Sequence, residues 1–256
     1  MRLKLITFYY SIFNHYVNIP YTKNMNTKTS KLNLNWPSLL VLVRHGESEG
    51  NKHTSQYMTE VVKKPSHKFE LTEVGQEQAK QAGVFIEERF GRDGFDAYFT
   101  STYTRAQQTF DGIFSGVKKN GHSIEAIMDA RVTEISRGYG NRISKARLAA
   151  NHPEEIIGLD LNGWFHNIPL GGQSCVQMDH VIHSFLAFLR ETCADKRVIL
   201  VGHGTWINLC CRILTNRSMD DAEARHDTQF YTNCGVTVFE KNPEGELCLV
   251  GENINV

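Results

Sequence analysis

The sequence has no excess of charge: 28 lysines and arginines balance 28 aspartates and glutamates over 256 residues. A net charge of zero excludes a global field that would recruit nucleic acid or an anionic membrane, so an anionic ligand must be caught by a local cluster. No run approaches the ~18 apolar residues that a membrane helix needs. No C-x-x-C pair occurs. The six cysteines, Cys175, Cys193, Cys210, Cys211, Cys234 and Cys248, all fall in the C-terminal third, and the one vicinal pair is too close for an ordinary bridge. They read as reduced thiols, mostly in the core, of a cytoplasmic protein. Near the N-terminus two early basic residues precede a largely apolar stretch, Ile6 to Phe13, but Asn14 and His15 cut it short and no small-residue cleavage site follows. That argues against a signal peptide. The stretch from Thr22 to Asn35, rich in Asn, Lys, Thr and Ser and without a period, suits a linker, and Met25 is a candidate start. Residues 1–36 are therefore expected to be a disordered extension, and 37–256 one folded domain with neither repeats nor a second linker. Histidine, with eleven residues, is the type present in unusual number.

From Trp36 onward strands and helices alternate. The run "LLVLVRH" (39–45) is continuously apolar, as a strand buried on both faces must be, and "RVILVGH" (197–203) repeats the pattern. Between them, 71–90 carries Ala79, Ala82, Ile86 and Phe90 at helical spacing behind a Thr72 cap. The pattern predicts strands at 95–100 and 123–128 and a helix at 102–114. The stretch 129–172 reads as loops with short helices. A helix is expected over 175–193 on the stripe Met178, Val181, Ile182, Phe185 and Leu189, and another over 205–214. A closing hairpin should turn at Asn242 to Gly245. This order specifies one α/β domain with a mainly parallel sheet.

In such a sheet, working groups gather at the carboxyl ends of the strands. One buried strand ends in Arg44-His45-Gly46 and the other in Gly202-His203-Gly204. Glycine lets a ligand approach the backbone, and an adjacent arginine adds charge and directional donors, which is the set that a phosphate requires. Arg105 enters from the first turn of the helix after "FDAYFTS", where free N–H groups already favour an anion.

The segments "LVLVRHGESEGN", "LTEVGQEQA", "FTSTYTRAQQT", "RVTEISRGYGN", "PLGGQS" and "ILVGHG", in that order, resemble the histidine phosphatase superfamily, the phosphoglycerate mutase-like proteins, over about residues 38–240. The resemblance implies a three-layer α/β/α domain with a central mixed sheet and a reaction through phosphohistidine. His45 would be the nucleophile, since neutral imidazole attacks phosphorus well near pH 7. Arg44, Arg105 and His203 would stabilise the charge spread over the phosphoryl oxygens. Asn51 and the Gly204 N–H would contact the phosphate, with Ser48 lining the pocket. Glu134 matches the family's general acid and base. Two departures complicate that assignment. Val132-Thr133-Glu134 stands where Leu-Arg-Glu is usual, and Tyr139-Gly140-Asn141 comes two residues late, which in one branch would put Ser136 on the acid position. Gln173 replaces a glutamate expected to fix a loop. His180 and His183 sit at i, i+3 without a third ligand nearby, so they read as a surface pair; no metal and no cofactor is expected.

Both phosphatases and mutases share the first half-reaction. The Gly-Trp-x-Asp patch of the cofactor-dependent mutases is absent, and 141–172 is shorter than the corresponding mutase insertion. The expectation is a phosphatase acting on a small soluble phosphomonoester, with a cofactor-dependent mutase and a non-catalytic phosphate-binding protein as alternatives. Lys63, Lys64, His67, Arg137, Arg142, Lys145 and Arg147 lie near the expected mouth as candidates for an anionic substrate tail. Oligomeric state has no signature in the sequence.

Overall fold

In a computed structural model of the chain, residues 35–52, 64–139 and 145–256 are described. Residues 1–34 of the expected N-terminal extension, with the alternative start, therefore fall outside the described residues, while Trp36, counted in that extension, packs against the core. The elements are β1 (Leu39–Arg44), α1 (Glu49–Lys52), α2 (Glu73–Phe90), β2 (Ala97–Thr100), α3 (Thr104–Phe114), β3 (Lys118–Lys119), β4 (His122–Ser123), β5 (Ile127–Met128), α4 (Lys145–Asn151), α5 (Pro153–His166), α6 (Cys175–Thr192), β6 (Arg197–Gly202), α7 (Gly204–Thr215), α8 (Met219–Asp227), β7 (Val236–Lys241) and β8 (Leu247–Ile254).

Side chains of a strand alternate between faces, so a continuous apolar run is stable only where both faces are covered. In β1, Leu39, Val41 and Val43 join one core cluster while Leu40 and Leu42 join the other. In β6, Ile199 and Val201 face the first cluster and Val198 and Leu200 the second. Ala79, Ala82 and Ile86 of α2, with Ala106, Phe110 and Ile113 of α3, cover one face. Met178, Ile182 and Phe185 of α6, with Trp206 and Leu209 of α7, cover the other. Each such buried Leu, Ile or Phe contributes roughly 1.5–3 kcal/mol. The sheet order is β5-β2-β6-β1-β7-β8, with the first four strands parallel, β7 antiparallel to β1, and β8 antiparallel to β7. The result is a three-layer α/β/α domain around a mainly parallel mixed sheet.

Local signals agree with this packing. Thr72 Oγ1 accepts from the Gly75 N–H at 3.1 Å to cap α2, and Ser174 with Gln177 forms a reciprocal capping box on α6. Where α2 and α3 cross, a Cβ on Gly83 would lie 2.8 Å from the Ile113 carbonyl oxygen, so only glycine permits that approach. The six cysteines are free thiols, and all but Cys248 are buried. No described helix is long and apolar enough to cross a membrane.

The structure departs from expectation at 122–128 and at α8. The single strand expected over 123–128 is two pieces: His122–Ser123 pairs back on Lys118–Lys119 across a turn with positive φ at Asn120 and Gly121, and only Ile127–Met128 joins the sheet edge. The loops with short helices expected over 129–172 are found, as α4 and as α5, whose 14 residues are interrupted by Gly163 at φ 67°. Helix α8 was not anticipated at all. Its sequence, "MDDAEARHD", buries only Ala222, so it carries no apolar stripe; the available signal was Ser218, whose hydroxyl caps the Asp221 N–H at 3.1 Å.

Candidate active site

The parallel register pairs Arg44 with Gly202, so the next residues, His45 and His203, emerge side by side at the carboxyl edge. Their ring centroids are 5.2 Å apart. On the other side of β6, Thr100 of β2 pairs with Val201, which brings Ser101 and the first turn of α3, with Arg105, into the same place. Three chain-distant segments meet here because of strand order. His45, His203 and Arg105 are each no more than 5% exposed.

The hydrogen bonds fix both tautomers. His45 Nδ1 lies 2.7 Å from the Gly46 carbonyl oxygen, which can only accept, so Nδ1 carries the proton. His45 Nε2 is then the lone-pair nitrogen, and Arg105 Nε donates to it at 3.0 Å. Arg105 Nη2 donates to His203 Nδ1 at 3.2 Å, so His203 holds its proton on Nε2 and gives it to Ser101 Oγ at 2.8 Å. Arg105 Nη1 donates to the Ser66 carbonyl at 2.8 Å, and the guanidinium carbon lies 4.9 Å from the centre of the Tyr103 ring. Both histidines are thus neutral. Burial, then the charges of Arg105 and Arg44, push His45 well below the ordinary imidazole range. Burial, Arg105, His45 and Arg44 do the same to His203.

The arginines have little anionic compensation. Arg44 Nη1 donates to the Tyr231 carbonyl, while its buried Nε has no partner. A Cβ on Gly204 would lie 3.3 Å from that Nε, so the glycine makes room for the guanidinium. Burial lowers the pKa of Arg44 and brings that of Arg105 to about 10, with Glu134 the leading opposing charge on each. A buried donor with nothing to bond is costly. An anion at this point would remove the cost.

Glu134 follows the turn Ala130–Val132; its Oε1 accepts from the Ile135 N–H at 3.0 Å and its Oε2 lies 3.5 Å from the Thr205 N–H. Its charge acts on Arg44, Arg105 and Tyr103, which puts the carboxylate within the electrostatic reach of the cluster. Ser136, the competing position, is spent on the loop: its carbonyl accepts from Gln173 N at 2.8 Å, its N–H donates to Gln173 Oε1 at 3.3 Å, and its hydroxyl accepts from Gly138 N at 3.4 Å. Gln173 therefore keeps the acceptor that fixes this loop. Ser48 is buried, and its hydroxyl and N–H both donate to Asn51 Oδ1, at 2.9 and 3.0 Å. Gly204 opens α7 directly after His203, its N–H in the first turn of that helix.

Of the basic residues at the expected mouth, Lys64 is paired with Glu49 at 2.6 Å and Glu70 at 3.3 Å, and Arg137 donates to His226 Nε2 at 2.8 Å. His67 packs against the Tyr103 ring at 6.2 Å. Arg147 lies on α4, and Lys63, Arg142 and the side chain of Lys145 fall outside what is described. Beside His180 and His183, Asp179 is engaged by Arg212. Among the described residues no group of three His, Cys, Asp or Glu side chains could hold a metal ion.

Sequence reasoning missed the supports. Thr109 Oγ1 donates to the Arg105 carbonyl at 2.7 Å and accepts from Gly46 N at 3.0 Å, tying α3 to the loop after His45. Asn233 Nδ2 donates to the His45 carbonyl at 3.0 Å from 188 residues away. The serine of "STYTR" marked Ser101, but nothing in the sequence marked Asn233.

A model of the histidine phosphatase superfamily (branch 1) matches residues 40–253. A phosphoglycerate mutase-like protein from Arabidopsis thaliana is 31% identical over 60% of this chain; the match covers 46% of that relative, so the chain spans about half its length. A 2,3-bisphosphoglycerate-dependent phosphoglycerate mutase from Sinorhizobium fredii is 29% identical over 68% of this chain and 78% of its own. Among solved structures, an alpha-ribazole phosphatase from Shigella flexneri superposes with a TM-score of 0.66 at 21% identity, covering 85% of this chain and 98% of its own. A phosphoserine phosphatase mutant from Entamoeba histolytica in complex with phosphoserine gives 0.63 at 22%, covering 84% and 96%.

Proposed function

The chain belongs to the histidine phosphatase superfamily, and from that membership we propose that it is a phosphatase that hydrolyses a small phosphomonoester through a phosphohistidine on His45. The observation that carries this reading is the convergence of a neutral His45 Nε2 with the buried guanidinium of Arg105 and the half-buried one of Arg44, whose buried Nε is left unbonded. Nucleophile and anion receptor occupy one place.

In the first step His45 Nε2 bonds to phosphorus as the P–O bond to the leaving group breaks. Charge builds on the three equatorial phosphoryl oxygens, where Arg44 and Arg105 offer fixed donors in a water-poor setting. Glu134 is the general acid in this reading: it gives a proton to the departing alkoxide. In the second step a water oxygen bonds to phosphorus, the P–N bond breaks, and the Glu134 carboxylate takes the water proton. Inorganic phosphate leaves and neutral His45 is restored. Asn51, Ser48 and the Gly204 N–H complete the phosphate surroundings in this reading, Ser48 by holding Asn51. His203 enters neutral, as an acceptor from Arg105. A bound dianion would make its protonation favourable and so add a further donor to the phosphate.

Rapid quenching tests the proposal: wild type mixed with p-nitrophenyl phosphate should yield acid-labile, base-stable phosphate on the protein, and His45→Ala should yield none. Absence of both trapped phosphate and turnover across a panel of phosphomonoesters would refute it. The identity of the Sinorhizobium fredii relative favours a mutase as the second reading. Interconversion of 2- and 3-phosphoglycerate after priming with the bisphosphate would support that reading; its absence removes it.

A further inference from the structure

Arg44 spends one of its donors on a backbone carbonyl, and that choice fixes where the others point. Its Nη1 is bonded to the carbonyl of Tyr231, in the loop 228–235 between α8 and β7. The same loop holds the backbone on either side: Arg44 N donates to Gly235 O at 3.1 Å, and Cys234 N donates to Arg44 O at 3.1 Å and to His45 O at 3.3 Å. Two residues of the loop, Gln229 and Cys234, adopt positive φ, an arrangement that persists only where the surroundings enforce it.

The enforcement comes from β8. The Tyr231 hydroxyl donates to Glu252 Oε1 at 2.6 Å. Glu252, with only 13% of its side chain exposed, is itself gripped by Arg217 at 2.6 and 2.7 Å, and Arg225 lies 3.3 Å away. Burial would raise the Glu252 pKa, but the bonds from Arg217 and Tyr231 prevail and hold it below the ordinary range, so it stands as a carboxylate. One residue on, Asn253 Oδ1 accepts from Thr232 N at 2.8 Å.

We infer that Tyr231, anchored by Glu252, is a positioning residue for the phosphate-binding arginine: it clamps one end of the Arg44 guanidinium so that its unbonded Nε is presented to the phosphoryl group. Neither Tyr231 nor Glu252 touches the reacting atoms. The inference rests on the functional reading above. If the hydroxyl is removed, the loop keeps its backbone bonds but the Tyr231 carbonyl loses its tie to Glu252, and Arg44 shifts against His45. Arg44 is one of the charges that holds down the proton affinity of His45; the other groups facing that ring are Arg105 and His203, with Glu134 opposing the two arginines.

The test is Tyr231→Phe, which keeps the buried ring and leaves Glu252 paired with Arg217. The hydroxyl also meets Cys211, and that contact is lost too. The comparison variant is Phe185→Leu, in the same core cluster as Tyr231 but on α6. For both, inhibition by inorganic phosphate, kcat/KM against pH on p-nitrophenyl phosphate, and thermal stability are measured. Tyr231→Phe should weaken phosphate inhibition about tenfold and move the acidic limb of kcat/KM to higher pH, since His45 regains proton affinity as Arg44 drifts. Phe185→Leu should leave both unchanged at equal or greater loss of stability. Wild-type phosphate inhibition and pH profile in Tyr231→Phe would overturn the clamp, as would identical changes in both variants. A wild-type protein without phosphatase turnover would instead overturn the functional reading, which keeps the two failures apart.

Discussion

Arg105→Lys separates charge from geometry. Arg105 places three donors on three acceptors at once: His45 Nε2 at 3.0 Å, His203 Nδ1 at 3.2 Å and the Ser66 carbonyl at 2.8 Å. A lysine keeps the positive charge but concentrates it at one nitrogen, which cannot bridge the two rings or present a fork to two phosphoryl oxygens. Losing one preorganised donor from a developing phosphoryl charge costs about 2.7–4 kcal/mol, or roughly 10²–10³ in rate. We expect that loss in kcat/KM and in kcat alike, because the contact is strongest in the transition state. Steady-state kinetics on p-nitrophenyl phosphate, with urea denaturation as control, measure it. Since a cation remains in the same buried place, stability should change by no more than about 2 kcal/mol, within the range of ordinary substitutions. A rate loss below about fivefold in a stable protein would refute the forked-donor argument.

Three other outcomes are expected. The folded-state pKa values of His45 and His203 lie below the ordinary ~6.5, so the unfolded chain binds more protons, and stability falls as pH drops below about 6.5. Thermal midpoints from pH 7.5 to 5 should show that slope, and it should flatten in His203→Gln; an unchanged slope counts against the assignment. Gly75→Ala would drive a Cβ to 2.0 Å from the Glu47 carbonyl oxygen, where α2 meets the loop after His45, and should cost about 1–3 kcal/mol in urea denaturation. Glu134→Gln should lower kcat by about 10²–10⁴ on an alkyl phosphate, whose leaving group needs a proton, and far less on p-nitrophenyl phosphate. Greater damage from Ser136→Ala would transfer the acid role to that position.

The parts of the fold legible in the sequence are those where one physical cause dominates. "LLVLVRH" and "RVILVGH" could be read as central strands because burial on both faces leaves no room for a polar residue. Thr72 could be read as a cap because little else places a threonine ahead of an apolar stripe. Helix α8 escaped because its stability rests on a cap and on contacts such as Asn208 Nδ2 to the Ala222 carbonyl at 2.7 Å, which belong to the tertiary structure. The site divides in the same way. His45, His203 and Arg105 sit where strands end, a topological rule applied to a sequence. Tyr231, Asn233 and Glu252 reach Arg44 and His45 only because β7 lies next to β1 and β8 next to β7, an order that no local pattern encodes.

Burial has two consequences at this site, and they point the same way. It strips protons from His45 and His203, which leaves His45 Nε2 unprotonated, its lone pair held by Arg105 Nε until a phosphoryl group takes that place, at the pH where a protonated imidazole would be inert. It also draws Arg44 and Arg105 out of water without supplying a bonded carboxylate, so their charge is only partly offset, by Glu134, until an anion arrives. A salt bridge inside the site would have relieved the arginines and raised the histidines' proton affinity, weakening both the receptor and the nucleophile. Glu134 is close enough to act on both cations, yet its carboxylate oxygens rest on the backbone N–H groups of Ile135 and Thr205. A chain without net charge thus offers a small anion a site whose positive potential comes from where its cations are buried, and the same desolvation readies the group that would attack it.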